Sequence, residues 1–342
     1  MTLTVLPFQD KHVDAAAQLL AARQKRDRLV LPQLPSRFED LVVARKALEL
    51  AYGKPWSSGS VALADGQVVG YLLGTPRFDQ HTGRTVWIRP AGYALADGVD
   101  VELMRDLYAH AGPAWLELGC FDHYAMISTA DRTLLDSWYS LCFGQQQVYG
   151  LYQLADFSEA DFTNDKAPIQ SDITIRRATV SDGPYLAQLC YITAEHQFRA
   201  PTWAPTPREI VAGRPNSYSS VASDDEAIAW LAFKGGQSGH EAVGFQIYYE
   251  AEPEADDLYI PERCIELSAA GMVSEVRSMG IGLALSLAGF THAKQSGYAH
   301  CLADWRTANL QASRFWLKHG FKSVVYRLHR RVDERILWAN HI

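Results

Sequence analysis

The residues of this chain best placed to do chemistry are Arg277-Ser278-Met279-Gly280-Ile281-Gly282. A basic residue is followed by two glycines spaced by one. An apolar run, Ile265 to Val273, comes before them, and a helix-period run, Leu283 to Lys294, comes after. Strand, tight loop and helix N-terminus in that order aim successive backbone N–H groups at one spot, where the helix dipole adds positive charge. Glycine lets a ligand approach the backbone, because no Cβ stands in the way. The chemistry this suits is the binding of a diphosphate. A Walker loop would end in Gly-Lys-Ser/Thr, but Gly282 is followed by Leu283-Ala284. A dinucleotide fingerprint would carry Gly or Ala where Leu285 stands.

The rest of the chain must position that loop. Its 342 residues suggest about two domains, and 48% apolar with 21% charged residues is enough to build two cores. The composition is neither disordered nor fibrous. No apolar run is long enough to span a bilayer. The start, Met1-Thr2-Leu3-Thr4-Val5-Leu6-Pro7-Phe8, lacks the basic stretch and cleavage site of a signal peptide. The five cysteines are scattered without a Cys-x-x-Cys, as expected of free thiols in a reducing cytoplasm. A net charge of −7 argues against nucleic acid and is compatible with a cationic substrate. The eleven histidines show no metal-ligand spacing, and no metal is expected.

The chain repeats itself. Leu3-Thr4-Val5 with Ala17-Gln18-Leu19-Leu20 matches Ile173-Thr174-Ile175 with Ala187-Gln188-Leu189-Cys190. Trp138 through Phe143 matches Trp316 through Phe321, and each leads into a β-rich run. An acidic, Pro-containing stretch lies between the halves and predicts domains at 1–155 and 173–342 with a linker at 156–172. In the second half, alternation predicts strands near 173–178, 227–234, 242–250, 263–273, 299–304 and 322–330. Helices are predicted near 182–196, 280–296 and 308–318.

That element order, together with Arg-x-x-Gly-x-Gly, resembles the GCN5-related N-acetyltransferase (GNAT) superfamily. The resemblance covers nearly the whole second half and, more faintly, the first. It implies an α/β fold of two tandem GNAT-like domains, each a mixed, mostly antiparallel sheet flanked by helices. The first half has Trp87-Ile88-Arg89-Pro90-Ala91-Gly92 where the loop should be, and Pro90 lacks an N–H. It is therefore expected to be degenerate and structural, packing against the active half and helping to wall the substrate site, with a freely tethered domain as the alternative. In layout the arrangement resembles mycothiol synthase, which says little about substrate.

The resemblance implies acetyl-CoA as cofactor, held by Arg277, Ser278, Met279, Gly280, Ile281 and Gly282. Backbone N–H groups around Ala270, Met272 and Val273 would polarise the acyl carbonyl, and Asn309 would contact the coenzyme arm. The small residues Ser268-Ala269-Ala270-Gly271 either admit that arm or pack a crowded sheet. Glu266, alone in an apolar strand and 11 residues before Arg277, matches the general base of GCN5-type enzymes. Its apolar flanks should raise its pKa; a salt bridge is the structural alternative. Many members carry a tyrosine acid where Trp316 stands, so the group that protonates the thiolate is open, with Tyr326 or water as options. His196, Phe198 and Trp203, in a proline-rich segment, are candidate contacts to the acceptor, with packing under a loop as the alternative. The acidic stretch Glu250 to Asp257 reads as a solvated loop, with attraction of an amine as the alternative. The expected activity is transfer of an acetyl group to a primary amine of a small molecule by direct attack. The alternatives are a non-catalytic acyl-CoA-binding module, or a transferase using a longer acyl group. Neither nucleic acid nor membrane is an expected partner, and oligomeric state is not specified.

Overall fold

The alternating runs become strands and the helix-period runs become helices in a computed structural model, which describes residues 3–80, 82–158, 172–235 and 241–339. Most of the expected linker, 156–172, lies outside the described residues. Where the sequence suggests two consecutive domains, packing gives two compact units that interleave along the chain. The first comprises Met1–Tyr149, Pro253–Pro261 and Ser323–Ile342; the second comprises Gly150–Glu252 and Glu262–Lys322.

In the first unit the strands are β1 (Leu3–Pro7), β2 (Ser58–Ala64), β3 (Gln67–Asp79), β4 (Gly83–Ile88), β5 (Tyr93–Leu95) and β6 (Asp122–Ser128). The chain leaves this unit within β7 (Gly144–Gln153). The helices are α1 (Val13–Val30), α2 (Leu41–Gly53), α3 (Leu103–Glu117) and α4 (Arg132–Ser140). Asp40 starts α2 by accepting from the N–H groups of Val42 and Val43, and Asp131 does the same for α4 at Leu134. Neighbouring strands pair antiparallel except β4 with β6, which run parallel from Thr85↔Asp122 to Ile88↔Ala125. One buried cluster joins Leu107, Trp115 and Trp138 to Val86 and Ile127. A second joins Leu20, Leu48 and Tyr71.

That second cluster includes Leu258, from the segment Pro253–Pro261. The segment is clasped as well as buried. Lys54 Nζ meets Asp256 at 2.8 Å and Glu254 at 3.2 Å, and Arg89 bonds Asp257. Gln24 donates to the Leu258 carbonyl at 3.1 Å, and Arg37 to that of Ile260 at 3.0 Å. Asp256 is 1% exposed and Asp257 5%. The solvated-loop reading of this acidic stretch is therefore corrected: buried aspartates need partners, and Lys54 and Arg89 supply them. Burial pushes the Asp257 carboxyl up, with Arg89 opposing.

The second unit has β8 (Ile173–Arg177), β9 (Ile228–Lys234), β10 (Glu241–Glu250), β11 (Cys264–Met272) and β12 (His300–Arg306), in the order β8-β9-β10-β11-β12. Only β11 and β12 are parallel among these pairs. Its helices are α5 (Gly183–Leu189), α6 (Ile192–Phe198), α7 (Arg208–Ser220), α8 (Ile281–Gln295) and α9 (Leu310–Lys318). The single helix expected near 182–196 is thus two, and α7 is unforeseen. Pro207 and Pro215 read as breakers, and α7 buries no residue, so it shows no apolar stripe. Leu186, Leu189, Phe233, Phe245 and Ile247 form the core on one face of the sheet. On the other face lie Val243, Val276, Ile281 and Leu285, where α8 packs. The last strand, β13 (Lys322–Arg331), joins the first unit: it runs antiparallel to β6 from Val325↔Ser128 to Arg331↔Asp122.

Among the described residues no helix is long and apolar enough to cross a membrane.

Candidate functional site

β11 and β12 pair in parallel only from Cys264↔His300 to Leu267↔Ala303. Beyond Leu267 the strands part, while β11 stays paired to β10 as far as Met272. The Val273 N–H bonds the Val243 carbonyl at 3.0 Å, which fixes the phase of the antiparallel ladder. Hydrogen-bonded pairs alternate, so Ala270 and Met272 turn their N–H and C=O groups away from β10, into the gap. Two contacts agree: Thr193 Oγ1 reaches the Ala270 carbonyl at 3.4 Å, and the Arg277 guanidinium reaches that of Met272 at 3.4 Å. Of the expected polarising groups, Ala270 and Met272 are therefore placed to act, while the Val273 N–H is occupied.

The loop comes next. Gly280, with φ 77°, adopts the left-handed conformation at the start of α8, and among the described residues no side chain caps that helix. Its first N–H groups thus lack both intrahelical and side-chain partners. Gly282 serves a different end: a Cβ there would lie 2.8 Å from Met272 Cε, so it permits close packing of helix on strand. Beneath it lies a buried polar chain. Tyr248 donates to Gln246 Oε1 at 2.5 Å, Gln246 Nε2 donates to Ser286 Oγ at 2.9 Å, and Ser286 donates to the Gly282 carbonyl at 3.0 Å. The first turn of α8 is thus tied to β10 from below.

Gap and loop open on one cavity of about 510 Å³. Its wall brings together His196, Ala270, Met272, Arg277, Ser278, Gly280, Ile281, Gly282 and Asn309 from the residues expected to act. Met279 instead packs in the core on the α8 face, as Val273 packs against both cores. Phe198 and Trp203, 67% and 71% exposed, do not line the cavity. The wall includes Arg277, Arg314 and Lys318 but, among the described residues, no acidic one. An uncapped helix N-terminus that shares a cavity wall with three cationic side chains fits the phosphates of coenzyme A. No cysteine among the described residues lines it, and burial pushes the nearby Cys264 thiol up to about 12, which keeps it protonated.

Glu266 does not line the cavity. A bulge in β11 leaves Ser268 out of register, since Ile247 pairs with Ala269 but Tyr248 with Leu267. Side chains alternate faces, and one extra residue reverses the alternation. Ala270, opposite Gln246, faces α8; Glu266, opposite Tyr249, faces the α6 side. Trp316 does stand in the wall, 7% exposed and edge-on to Phe315 and Phe321. Phe321 is buried in the core, whereas Phe315 lines the cavity. Tyr326 lies on β13 in the first unit, packed at its core. Sequence reasoning missed Thr193 and Gln246. The argument that singles out Glu266, a polar residue inside an apolar strand, applies equally to Gln246.

No protein-family model matches this sequence, nor does any curated protein. Among solved structures it is similar to a GCN5-related N-acetyltransferase from Sphaerobacter thermophilus, with 16% identity over 96% of this chain and 95% of that one, at a TM-score of 0.53. It is also similar to a tandem GNAT protein from the clavulanic acid biosynthesis pathway, with 13% identity over 97% and 99% of the two chains, at a TM-score of 0.51. At such identities the likeness is one of fold: the chain has the tandem GNAT fold.

Proposed function

We propose that this tandem GNAT-fold protein is an acyl-CoA-dependent N-acetyltransferase that acts on a primary amine of a small molecule. The observation that carries the reading is the parting of β11 from β12 beside an uncapped, cation-flanked helix N-terminus. Acetyl-CoA would supply an activated acyl group as its thioester. The N–H groups at the start of α8, with Arg277, would hold its diphosphate, and Asn309 would steady the arm. The Ala270 and Met272 N–H groups would polarise the acyl carbonyl. The amine would enter from the α6 side, where Glu266 and His196 both lie. With no cysteine in the described wall, direct attack is the simplest course.

One observation favours a second reading, an acyl-CoA-binding module without catalysis: Trp316 occupies the place of the usual acid. Calorimetric titration with acetyl-CoA, followed by assay of CoA release, separates the readings. The enzyme binds one equivalent and releases CoA faster when amines are added. A binder takes up one equivalent and shows no amine dependence. Absence of binding would sink both.

A further inference from the structure

His196 and Asn309 come from different elements, 113 residues apart, and meet in the cavity wall. His196 lies in α6 and its Nε2 is 3.1 Å from Asn309 Oδ1. Asn309 is the N-cap of α9, and the same Oδ1 lies 3.1 Å from the Ala312 N–H. That N–H requires an acceptor, so the atom shared by both contacts is the carbonyl oxygen and not the amide nitrogen. Nε2 must then carry hydrogen. A neutral imidazole has one protonated nitrogen, which leaves Nδ1 with its lone pair. The bond to Asn309 also survives protonation, because Nε2 donates in both states. The imidazole can thus take up and release a proton at Nδ1 without turning.

Its place in the fold suits that use. Ile192 and Thr193 line the cavity together with His196, which follows them by four and three residues on α6. Ile192 lies against Gly271, and Thr193 bonds the Ala270 carbonyl. His196 is therefore one helical turn from the residue that touches the strand where the acyl carbonyl would be polarised. Charged and titratable groups beside it in the chain or on the same cavity wall are Glu195 on its own helix, Arg199 just past the helix end, and Arg277, Arg314, Lys318 and His319, while Glu266 lies on the face of β11 that looks toward α6.

We propose that His196 is the catalytic proton shuttle of the acetyl transfer, held in its working tautomer by Asn309; this rests on the acetyltransferase reading above. The amine nitrogen forms a bond to the acyl carbon and gives its proton to Nδ1. The C–S bond breaks, its electron pair stays on sulfur, and the imidazolium Nδ1–H returns the proton to the thiolate. Amine and thioester become amide and thiol, with no net change in the protein. One residue thereby fills two roles, including the one for which Trp316 has no suitable proton.

The test uses the whole chain with acetyl-CoA and spermidine, glucosamine, tyramine and L-lysine as probe amines. His196→Gln keeps a donor for Asn309 but cannot take a proton. It should bind acetyl-CoA as the wild type does, lose roughly 10²–10⁴-fold in amine-dependent CoA release, and lose the acid limb of the pH–rate profile. Asn309→Asp keeps the cap and the bond to His196 while adding negative charge, so the acid limb should move to higher pH. Nitrogen-15 NMR of the free protein should show His196 protonated on Nε2. Unchanged release and pH profile in His196→Gln, or a proton on Nδ1, would overturn the shuttle. A wild-type protein that releases no CoA with any probe would overturn the acetyltransferase reading, and the shuttle with it.

Discussion

The parallel pairs β4/β6 and β11/β12 begin alike and end differently. Each keeps four residues of register before its strands part. In the second unit the freed strand runs on, turns two peptide groups into the gap and delivers the chain to a glycine loop. In the first unit Arg89 interrupts, and Pro90-Ala91-Gly92 fold into a buried turn before β5 pairs with β3. Gly92 packs so tightly there that a Cβ would lie 2.7 Å from the Leu73 carbonyl oxygen. Arg89, at the corresponding point, is spent on Asp257. The same strand pairing thus leads into a glycine loop in one unit and into a buried turn in the other, and the difference lies in the residues just beyond the parting.

The sharpest way to break this contrast is Gly280→Asp. It puts a Cβ where φ is 77° and a carboxylate where the phosphates would sit. Calorimetry should show acetyl-CoA binding lost, by about 100-fold or more, with the far-UV spectrum unchanged. Binding that persists at full stoichiometry would move the site elsewhere.

Arg89→Ala probes the other arm. It leaves Asp257 buried without its cation, which should cost about 3–5 kcal/mol in denaturant unfolding. Acetyl-CoA affinity, measured below the transition, should hold. A stable variant would mean that the clasp contributes little.

The smallest effect is a pH dependence of the first unit. Burial pushes His123 down from 6.5 to about 4, and its ring is bonded to the Tyr108 hydroxyl and the Cys120 carbonyl. Between those pH values the folded unit binds fewer protons than the unfolded chain. This contribution is complete above pH 6.5 and is lost as pH falls toward 4, on the order of 3 kcal/mol in all. Unfolding of His123→Leu should depend less steeply on pH in that window; an unchanged slope would assign the dependence to other groups.

How much of this is legible in the sequence depends on how local each cause is. Arg277 to Gly282 announce themselves because their chemistry lies in neighbouring peptide groups. The strands of the second unit fall within a few residues of their predicted bounds for the same reason. The bulge at Ser268 is not legible: it arises from the pairing with β10, and it puts Glu266 on the α6 face of the sheet and not on the α8 face. Asp256 and Asp257 look solvated in sequence because Lys54 and Arg89 lie far off in the chain. The pairing of His196 with Asn309 is hidden likewise, although each residue stands out alone.

The clasped segment Pro253–Pro261 also bears on synthesis. As the chain emerges from the ribosome, residues 1–149 contain both helices over the second cluster but not Leu258, which completes it. They also lack β13, so one edge of β6 has no strand to meet. Until the last residues are made, the early part of the chain carries an unfilled core and an open sheet edge, both of which invite misassociation. A fragment ending near residue 155 should therefore aggregate more readily than the full chain. The order in which this protein is made is not the order in which it can finish folding.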